Sequence, residues 1–246
     1  MLILLPPSET KRPGGVGVSM KYQAIIWASL DPTRESIIRA LEKASKNESL
    51  AERVLKLGKR NLHEAKANLE LHTSPTMPAL ARYSGVLYEA LGYDTLTKFG
   101  LQRAKEQLFI QSALFGLLPA TEQIPFYRLS ATTLLPGISI KKLWPIAHEE
   151  LVWPRLSGPI IDMRSKAYIE LAPIPKSIES YQVEVLDEQS GSALNHFNKK
   201  AKGAFTRVAL EGGLSSIDDV AGVAEKAGLK SEFETGVIRL IVPMGF

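Results

Sequence analysis

Leu2-Ile3-Leu4-Leu5-Pro6-Pro7 is the stretch from which the fold is best predicted. Four consecutive apolar residues stopped by two prolines are typical of a buried strand, because proline cannot donate to the ladder. A second run, Ile160-Ile161-Asp162-Met163, follows Gly158-Pro159 and predicts another buried strand. Helical periodicity lies between these runs, without regular alternation of strand and helix. The sequence therefore predicts an α+β fold, a single compact domain over residues 1–246 with a mixed sheet and flanking helices.

The remaining elements are predicted from helical spacing and turn residues. Asp31-Pro32 suits a helix N-terminus, and the apolar residues from Ile37 to Ala44 repeat at helical spacing. Between Leu101 and Leu118 the apolar pattern leaves helix, strand or both open. The other predictions are a strand at Tyr22 to Trp27, a helix pair over 48–71, a helix from Pro78 that Ser84-Gly85 interrupts, helices over 141–156 and from Lys199 to about Glu211, and strands over 181–186 and 233–242.

Composition excludes several classes of protein. With 45% hydrophobic and 23% charged residues the chain is neither disordered nor fibrous, and without cysteine it has no disulfide, cysteine zinc site or iron–sulfur cluster. The uncharged stretch between Glu106 and Glu122 is shorter than the about 20 residues of a bilayer span. The apolar run before Pro6 is too short for a signal peptide, so none is expected. A cytoplasmic protein without a membrane partner is expected. The net charge of +4 permits an anionic partner without requiring one.

The strongest local signal is a run of cations near the C-terminal part of the chain. Lys199, Lys200, Lys202 and Arg207 fall within nine residues that contain no acid. If the start of this helix faces a cleft, its dipole and amines attract phosphate or carboxylate. The alternative is a solvated helix face. The two interpretations differ in one placement: the first requires the amines to share a groove with the loop that leaves the first strand.

Polar residues follow the second buried strand, where ligands of α/β sheets bind. Asp162, Arg164, Ser165 and Tyr168 lie at or beyond its carboxyl end, and Tyr127-Arg128 follows Pro125 in an apolar context. The alternative for this group is a structural Asp–Arg pair. His63, His72, His148 and His196 lack the spacing of a metal site, and Gly14-Gly15-Val16-Gly17 lacks a phosphate-binding pattern. No metal and no cofactor are predicted.

Several short blocks, in this order, resemble the YaaA peroxide-stress family, also called UPF0246. These blocks are 2–11 (LILLPPSETK), 83–88 (YSGVLY), 114–119 (LFGLLP), 125–129 (PFYRL), Ser165 with Tyr168, and 199–203 (KKAKG) with Arg207. Better-known members carry a lysine at the position of Glu9 and an acidic pair at Lys166-Ala167. The Pro-Pro-Ser-Glu-x-Lys form at 6–11 is therefore typical of a divergent branch.

The resemblance implies a cytoplasmic protein of the oxidative stress response, one that limits damage during peroxide stress in part by keeping unincorporated iron low. It also implies a basic cleft and a helix-hairpin-helix-like element that binds DNA, for which the segment from Lys105 to Pro125 is the candidate. Such a hairpin contacts phosphate and reads no sequence, so DNA binding is expected to be non-specific and sensitive to salt. The residues expected to bind DNA or another anion are Lys11, Arg128, Arg164, Lys199, Lys200, Lys202 and Arg207.

An enzyme acting on a small anionic or phosphorylated substrate in the same cleft is the main alternative, because phosphate contact does not explain the acidic residues. Direct iron sequestration ranks third, since clustered metal ligands are not visible. No obligate protein partner is predicted. The catalytic candidates are Glu9, Tyr127, Asp162 and Lys199, and the pocket residues are Ser8, Ser84, Ser165 and Tyr168.

Overall fold

Strand β1 (Leu2–Leu5) lies inside the sheet, as its unbroken apolar run predicts. The computed structural model describes residues 1–20, 25–193 and 196–246. β1 pairs in parallel with β3 (Leu108–Ser112) on one side and with β6 (Ile160–Asp162) on the other. Both neighbours are buried along their whole length. A parallel strand covered on both faces needs apolar side chains at every position, which explains the continuous runs.

The sheet around β1 combines a parallel centre with antiparallel edges. The other strands are β2 (Met77–Pro78), β4 (Gly116–Pro119), β5 (Gln123–Ile124), β7 (Ser180–Asp187), β8 (Lys230–Glu234) and β9 (Val237–Val242). Among the described residues the main sheet has the order β4-β3-β1-β6-β7-β9-β8, with only β4 and β8 antiparallel to their neighbours. β2 and β5 form a separate antiparallel pair. The predicted α+β class with a mixed sheet is confirmed.

Helices flank this sheet and largely follow the predicted spacing. They are α1 (Asp31–Ser45), α2 (Glu48–Leu55), α3 (His63–Ala67), α4 (Ala79–Arg82), α5 (Val86–Leu91), α6 (Lys98–Gln107), α7 (Ile140–Leu151), α8 (Lys166–Ile169), α9 (His196–Gly212) and α10 (Asp219–Lys226). In α1 the predicted apolar stripe from Ile37 to Ala44 faces the core, and Pro32 lies in the first turn. In the described part of the chain no helix has the length and apolar character needed to cross a bilayer.

The segment from Lys105 to Pro125 corrects one prediction. After α6 the chain forms β3, a tight turn and β4, so this segment is a β-hairpin and the placement of a helix-hairpin-helix here is wrong. Ser112 closes the turn, because its Oγ accepts hydrogen bonds from the backbone N–H groups of Leu114 (3.1 Å) and Phe115 (3.0 Å). Both apolar side chains are fully buried, so the hairpin is part of the core and offers no surface to DNA.

The strand predicted at Tyr22 to Trp27 is not formed in its described part. Residues 21–24 lie outside the described residues, and Ile25 to Trp27 are not in a strand. Trp27 has a φ of 57°, in the left-handed region, which is incompatible with an extended chain at that position. The strands predicted over 181–186 and 233–242 and the helices predicted over 141–156 and from Lys199 are confirmed with small shifts of their ends.

Candidate functional site

The order of the strands places a crevice at the carboxyl ends of β1 and β6. From β1 the chain continues to β3 on one side, and from β6 it continues to β7 on the opposite side. Because the connections leave these two adjacent strands in opposite directions, their loops separate and leave a gap at the end of the sheet. Ligands of open parallel sheets bind at such switch points.

A cleft of about 580 Å³ fills this gap. Its volume lies within the roughly 300–1,000 Å³ of small-molecule sites. The loop after β1, the start of α5, the start of α8 and the start of α9 form its walls. It is lined by Pro6, Pro7, Ser8, Glu9, Thr10, Ser84, Gly85, Val86, Leu87, Tyr88, Ser165, Tyr168 and Lys199. The four predicted pocket residues are all in this lining, together with two of the catalytic candidates.

The loop that leaves β1, residues 6–11, is joined to the segment that starts α5. Lys11 and Tyr83 form an antiparallel bridge, and the N–H of Ser84 donates to the carbonyl oxygen of Thr10 (3.1 Å). Tyr88 on α5 donates from its hydroxyl to the carbonyl oxygen of Pro6 (2.7 Å). Two walls of the cleft are therefore fixed to each other by backbone contacts and by the Tyr88 hydroxyl.

Lys11 holds the same loop from beneath. Its ammonium group is buried and donates to the carbonyl oxygens of Ser8 (3.1 Å) and Glu9 (3.3 Å). The ammonium group also lies over the ring of Tyr127, whose centroid is 4.4 Å from Nζ. Burial, reinforced by the charge of Arg128, lowers the pKa of Lys11 to about 7. This lysine shapes the loop that lines the cleft, and it is not itself a lining residue.

Arg128 supports the loop from a second side. Its guanidinium donates to the carbonyl oxygen of Glu9 (3.1 Å) and to the Glu9 carboxylate (3.2 Å), and it contacts the carboxylate of Glu64 at 3.5 Å. The backbone of Arg128 is fixed in turn by Asn68, whose buried amide accepts from its N–H (2.8 Å) and donates to its carbonyl oxygen (3.1 Å). Asn68 and Glu64 were not predicted from the sequence, because nothing local marks residues of a distant helix as partners of Arg128.

The amine-rich helix faces the cleft at its first turn. Lys199 on α9 is exposed and lines the cleft together with the loop after β1. Gly203, one turn further along α9, allows close packing on α5: a β-carbon at this position would overlap the carbonyl oxygen of Leu87 and lie 2.8 Å from the β-carbon of Ala90. This close packing sets the separation between Lys199 and the start of α5.

Comparison with known proteins identifies the relatives of this chain. The sequence profile of the peroxide stress protein YaaA family matches residues 1–234. The chain belongs to this family. A UPF0246 protein of Corynebacterium efficiens is 40% identical over 243 residues, covering 96% of both chains. A UPF0246 protein of Streptomyces coelicolor is 34% identical over 220 residues, covering 87% of this chain and 84% of the relative. An uncharacterised protein of Campylobacter jejuni is 28% identical over 205 residues, covering 82% of both.

Two other predicted cations of this YaaA-family protein, Arg164 and Lys202, do not line the cleft. Arg164 belongs to the structural Asp–Arg pair considered above, and Lys202 binds the backbone of Met163. Arg164 is buried and donates to both carboxylate oxygens of Asp162 (2.8 and 2.7 Å). Lys202 is also buried and donates to the carbonyl oxygen of Met163 (3.1 Å), and burial lowers its pKa to about 8. Asp162, a catalytic candidate, is thus a partner of Arg164 and not a lining residue of the cleft.

The last two predicted cations of α9 are also engaged elsewhere. Arg207 donates to the carbonyl oxygens of Leu91 (2.8 Å) and Gly92 (3.0 Å), where it caps the C-terminus of α5. Lys200 is exposed, and its Nζ lies 4.7 Å from the ring centroid of Phe246. A positively charged helix can therefore direct one amine to the cleft while its neighbours serve the fold or face solvent.

Tyr127, the remaining catalytic candidate, is buried and does not line the cleft. Its hydroxyl hydrogen-bonds with the hydroxyls of Tyr83 (2.7 Å) and Ser112 (2.8 Å), and the side chain is fully buried. Burial raises the pKa of the Tyr127 hydroxyl well above its ordinary value, so the hydroxyl stays neutral. Lys11 packs on the ring of Tyr127, which therefore supports the loop after β1.

Proposed function

We propose that this YaaA-family protein acts in the response to peroxide stress by limiting damage from unincorporated iron, and that its working site is the cleft, which binds a small phosphorylated anion. The role in peroxide stress is supported by family membership. The link to unincorporated iron is carried over from what the resemblance implies. The proposal that the cleft binds an anion is supported by one observation: the exposed residue Lys199 and three serines line the same small volume at a topological switch point.

The residues around this volume suit a phosphate or carboxylate group. Lys199 supplies a positive charge, and Ser8, Ser84 and Ser165 supply hydroxyl donors. A hydrogen bond between a charged and a polar group contributes more than one between neutral groups. Apolar surface from Pro6 and Val86 beside these groups would cover the rest of a small molecule.

Replacing Lys199 tests the proposal. We expect Lys199→Ala to weaken binding of inorganic phosphate and ribose 5-phosphate about 10- to 100-fold, the equivalent of one charge-assisted hydrogen bond. The measurement is isothermal titration calorimetry. Lys200→Ala is the matched control, because it removes the adjacent amine of the same helix from a side chain that does not line the cleft. Equal affinities for both variants, or no binding by the unmodified protein, would contradict the proposed site.

Non-specific DNA binding is the second candidate, favoured by the exposed amines of Lys166, Lys199 and Lys200 around the starts of α8 and α9. Of the seven cations predicted to contact an anion, three are buried (Lys11, Arg164 and Lys202), Arg128 is bound to Glu9, and Arg207 caps a helix. The duplex would therefore rely on the remaining two, Lys199 and Lys200, together with Lys166. Three phosphate contacts predict a slope of about −3 when log affinity is plotted against log salt concentration. A slope near zero would exclude this candidate.

A further inference from the structure

We propose that Glu9 determines the specificity of the cleft: its carboxylate accepts hydroxyl groups of the ligand and repels further negative charge, so the site takes a sugar phosphate in preference to a polyanion. The inference rests on the proposed binding of a phosphorylated anion beside Lys199. It adds the class of ligand, a phosphate monoester that also carries neighbouring hydroxyl groups.

The position of Glu9 is fixed although its side chain is exposed. The carbonyl oxygen of Glu9 accepts hydrogen bonds from both Lys11 (3.3 Å) and Arg128 (3.1 Å), which holds the backbone of the loop. One carboxylate oxygen accepts from Arg128 (3.2 Å), and 68% of the side chain remains accessible. The carboxylate is therefore held at the edge of the cleft with acceptor capacity left for a ligand.

The two opposite charges of the cleft favour different chemical groups of a ligand. Lys199 and the serine hydroxyls favour a single anionic group, while Glu9 lines the same volume with a negative charge. A carboxylate accepts hydrogen bonds well from a pair of neighbouring hydroxyls, as acidic residues do with ribose in dinucleotide sites. A second phosphate near Glu9 would instead meet a like charge within the same cleft. A phosphorylated sugar offers a phosphate to Lys199 and hydroxyl groups to Glu9, whereas a diphosphate offers a suitable group only to Lys199.

The structure offers a matched control for this role. Glu64 contacts the same guanidinium of Arg128, at 3.5 Å, but it does not line the cleft. Replacing either glutamate by glutamine removes one negative charge from Arg128. Only the replacement at Glu9 changes the surface that meets the ligand, so the two variants separate a direct contact from an effect transmitted through Arg128.

Titration calorimetry of the full chain at constant ionic strength, with ribose 5-phosphate and inorganic pyrophosphate as probes, tests the inference. The unmodified protein should bind ribose 5-phosphate more tightly. Glu9→Gln should weaken ribose 5-phosphate about 10-fold and strengthen pyrophosphate about 3-fold or more, as expected for the loss of a charged acceptor and of a repulsion. Glu64→Gln should leave the ratio of the two affinities within about 2-fold of the unmodified protein.

Each alternative result has a defined meaning. Binding of both probes that depends on Lys199 but keeps the same ratio in Glu9→Gln would overturn the specificity role and leave the proposed anion site intact. Equal changes in Glu9→Gln and Glu64→Gln would assign the effect to Arg128 and also overturn it. If the unmodified protein binds neither probe, the proposed function fails, and this inference fails with it.

Discussion

Lys11 combines a high cost of burial with three favourable contacts. Its ammonium group is removed from water, which disfavours the charged form, while two carbonyl oxygens and the face of Tyr127 stabilise that form. Burial prevails, since the pKa of Lys11 falls to about 7. The loop after β1 is thus shaped by a residue that reduces the stability of the protein at neutral pH. Residues that shape binding sites commonly carry such a cost.

This balance predicts a pH-dependent effect of Lys11→Met. Because the pKa of Lys11 is about 7 in the folded chain and about 10.5 in the unfolded chain, the unfolded chain binds more protons between these values. The free energy of unfolding contributed by this residue therefore rises with pH across that window and is constant below it. Relative to Lys11→Met, we expect the unmodified protein to gain about 2–4 kcal/mol between pH 7 and pH 10. Urea unfolding of both proteins at several pH values measures this gain. A difference between them that does not change with pH would contradict the prediction.

The role of Asp162 and Arg164 was only half predictable from the sequence. Their position after a buried strand indicated correctly where the sheet ends and where a cleft forms. Whether such a pair faces a ligand or closes on itself depends on side-chain directions that spacing does not fix. Here Arg164 turns inward, to Asp162 and to the carbonyl oxygen of Ala172 (2.9 Å).

At the scale of elements, the contact between α5 and α9 sets the width of the cleft. Gly203 places the backbone of α9 against the carbonyl oxygen of Leu87, and Arg207 caps the end of α5 one turn later. The backbone at Gly203 does not need a conformation that only glycine adopts, so glycine matters here because it lacks a β-carbon. The start of α9, with Lys199, is carried to the cleft by this packing.

Gly203→Ala should therefore disturb both stability and the cleft. The added methyl group would overlap the Leu87 carbonyl oxygen, and we expect a loss of about 1–3 kcal/mol in the free energy of unfolding, as for other overpacked contacts. Gly222→Ala in α10 is the control, because a β-carbon there meets no atom within 4 Å, and it should be neutral or stabilising by up to about 1 kcal/mol. Thermal and urea unfolding compare the two. Similar effects of both substitutions would show that close packing at Gly203 is unimportant.

The elements also show where sequence patterns mislead. The stripe in α1 was predicted because a half-buried helix repeats its apolar residues with a fixed period. The segment around Leu114 and Phe115 has no such contrast, because both faces of the hairpin are buried. A continuous apolar run fits a buried strand and a buried helix equally. The placement of a helix-hairpin-helix in this segment therefore depended on the resemblance, and it was wrong.

At the scale of the whole molecule, the charged residues predicted to form one site have two different roles. Some of them line the cleft, and the others form buried or capping contacts that stabilise the fold. The pocket serines were predicted from the resemblance, since they lie in short blocks next to turns and strand ends. Which contacts the cations make was not predictable, because the partners of Arg207 and Arg128 lie far away along the chain. Net positive charge on a helix indicates neither which amines face a ligand nor which bind backbone carbonyls.

This division predicts that stability and binding respond to different substitutions. Asp162→Asn leaves the buried guanidinium of Arg164 without its counter-charge, and we expect a loss of about 3 kcal/mol in the free energy of unfolding. Because Asp162 does not line the cleft, the affinity of the folded variant for ribose 5-phosphate should stay within about 2-fold. Lys199→Ala should lower the affinity and leave the stability nearly unchanged, since its exposed amine is proposed to bind the ligand and supports little of the fold. Urea unfolding and titration calorimetry on the same two variants measure both quantities. A large loss of affinity in Asp162→Asn at a temperature where it is fully folded would place this carboxylate in the working site and restore it as a catalytic candidate.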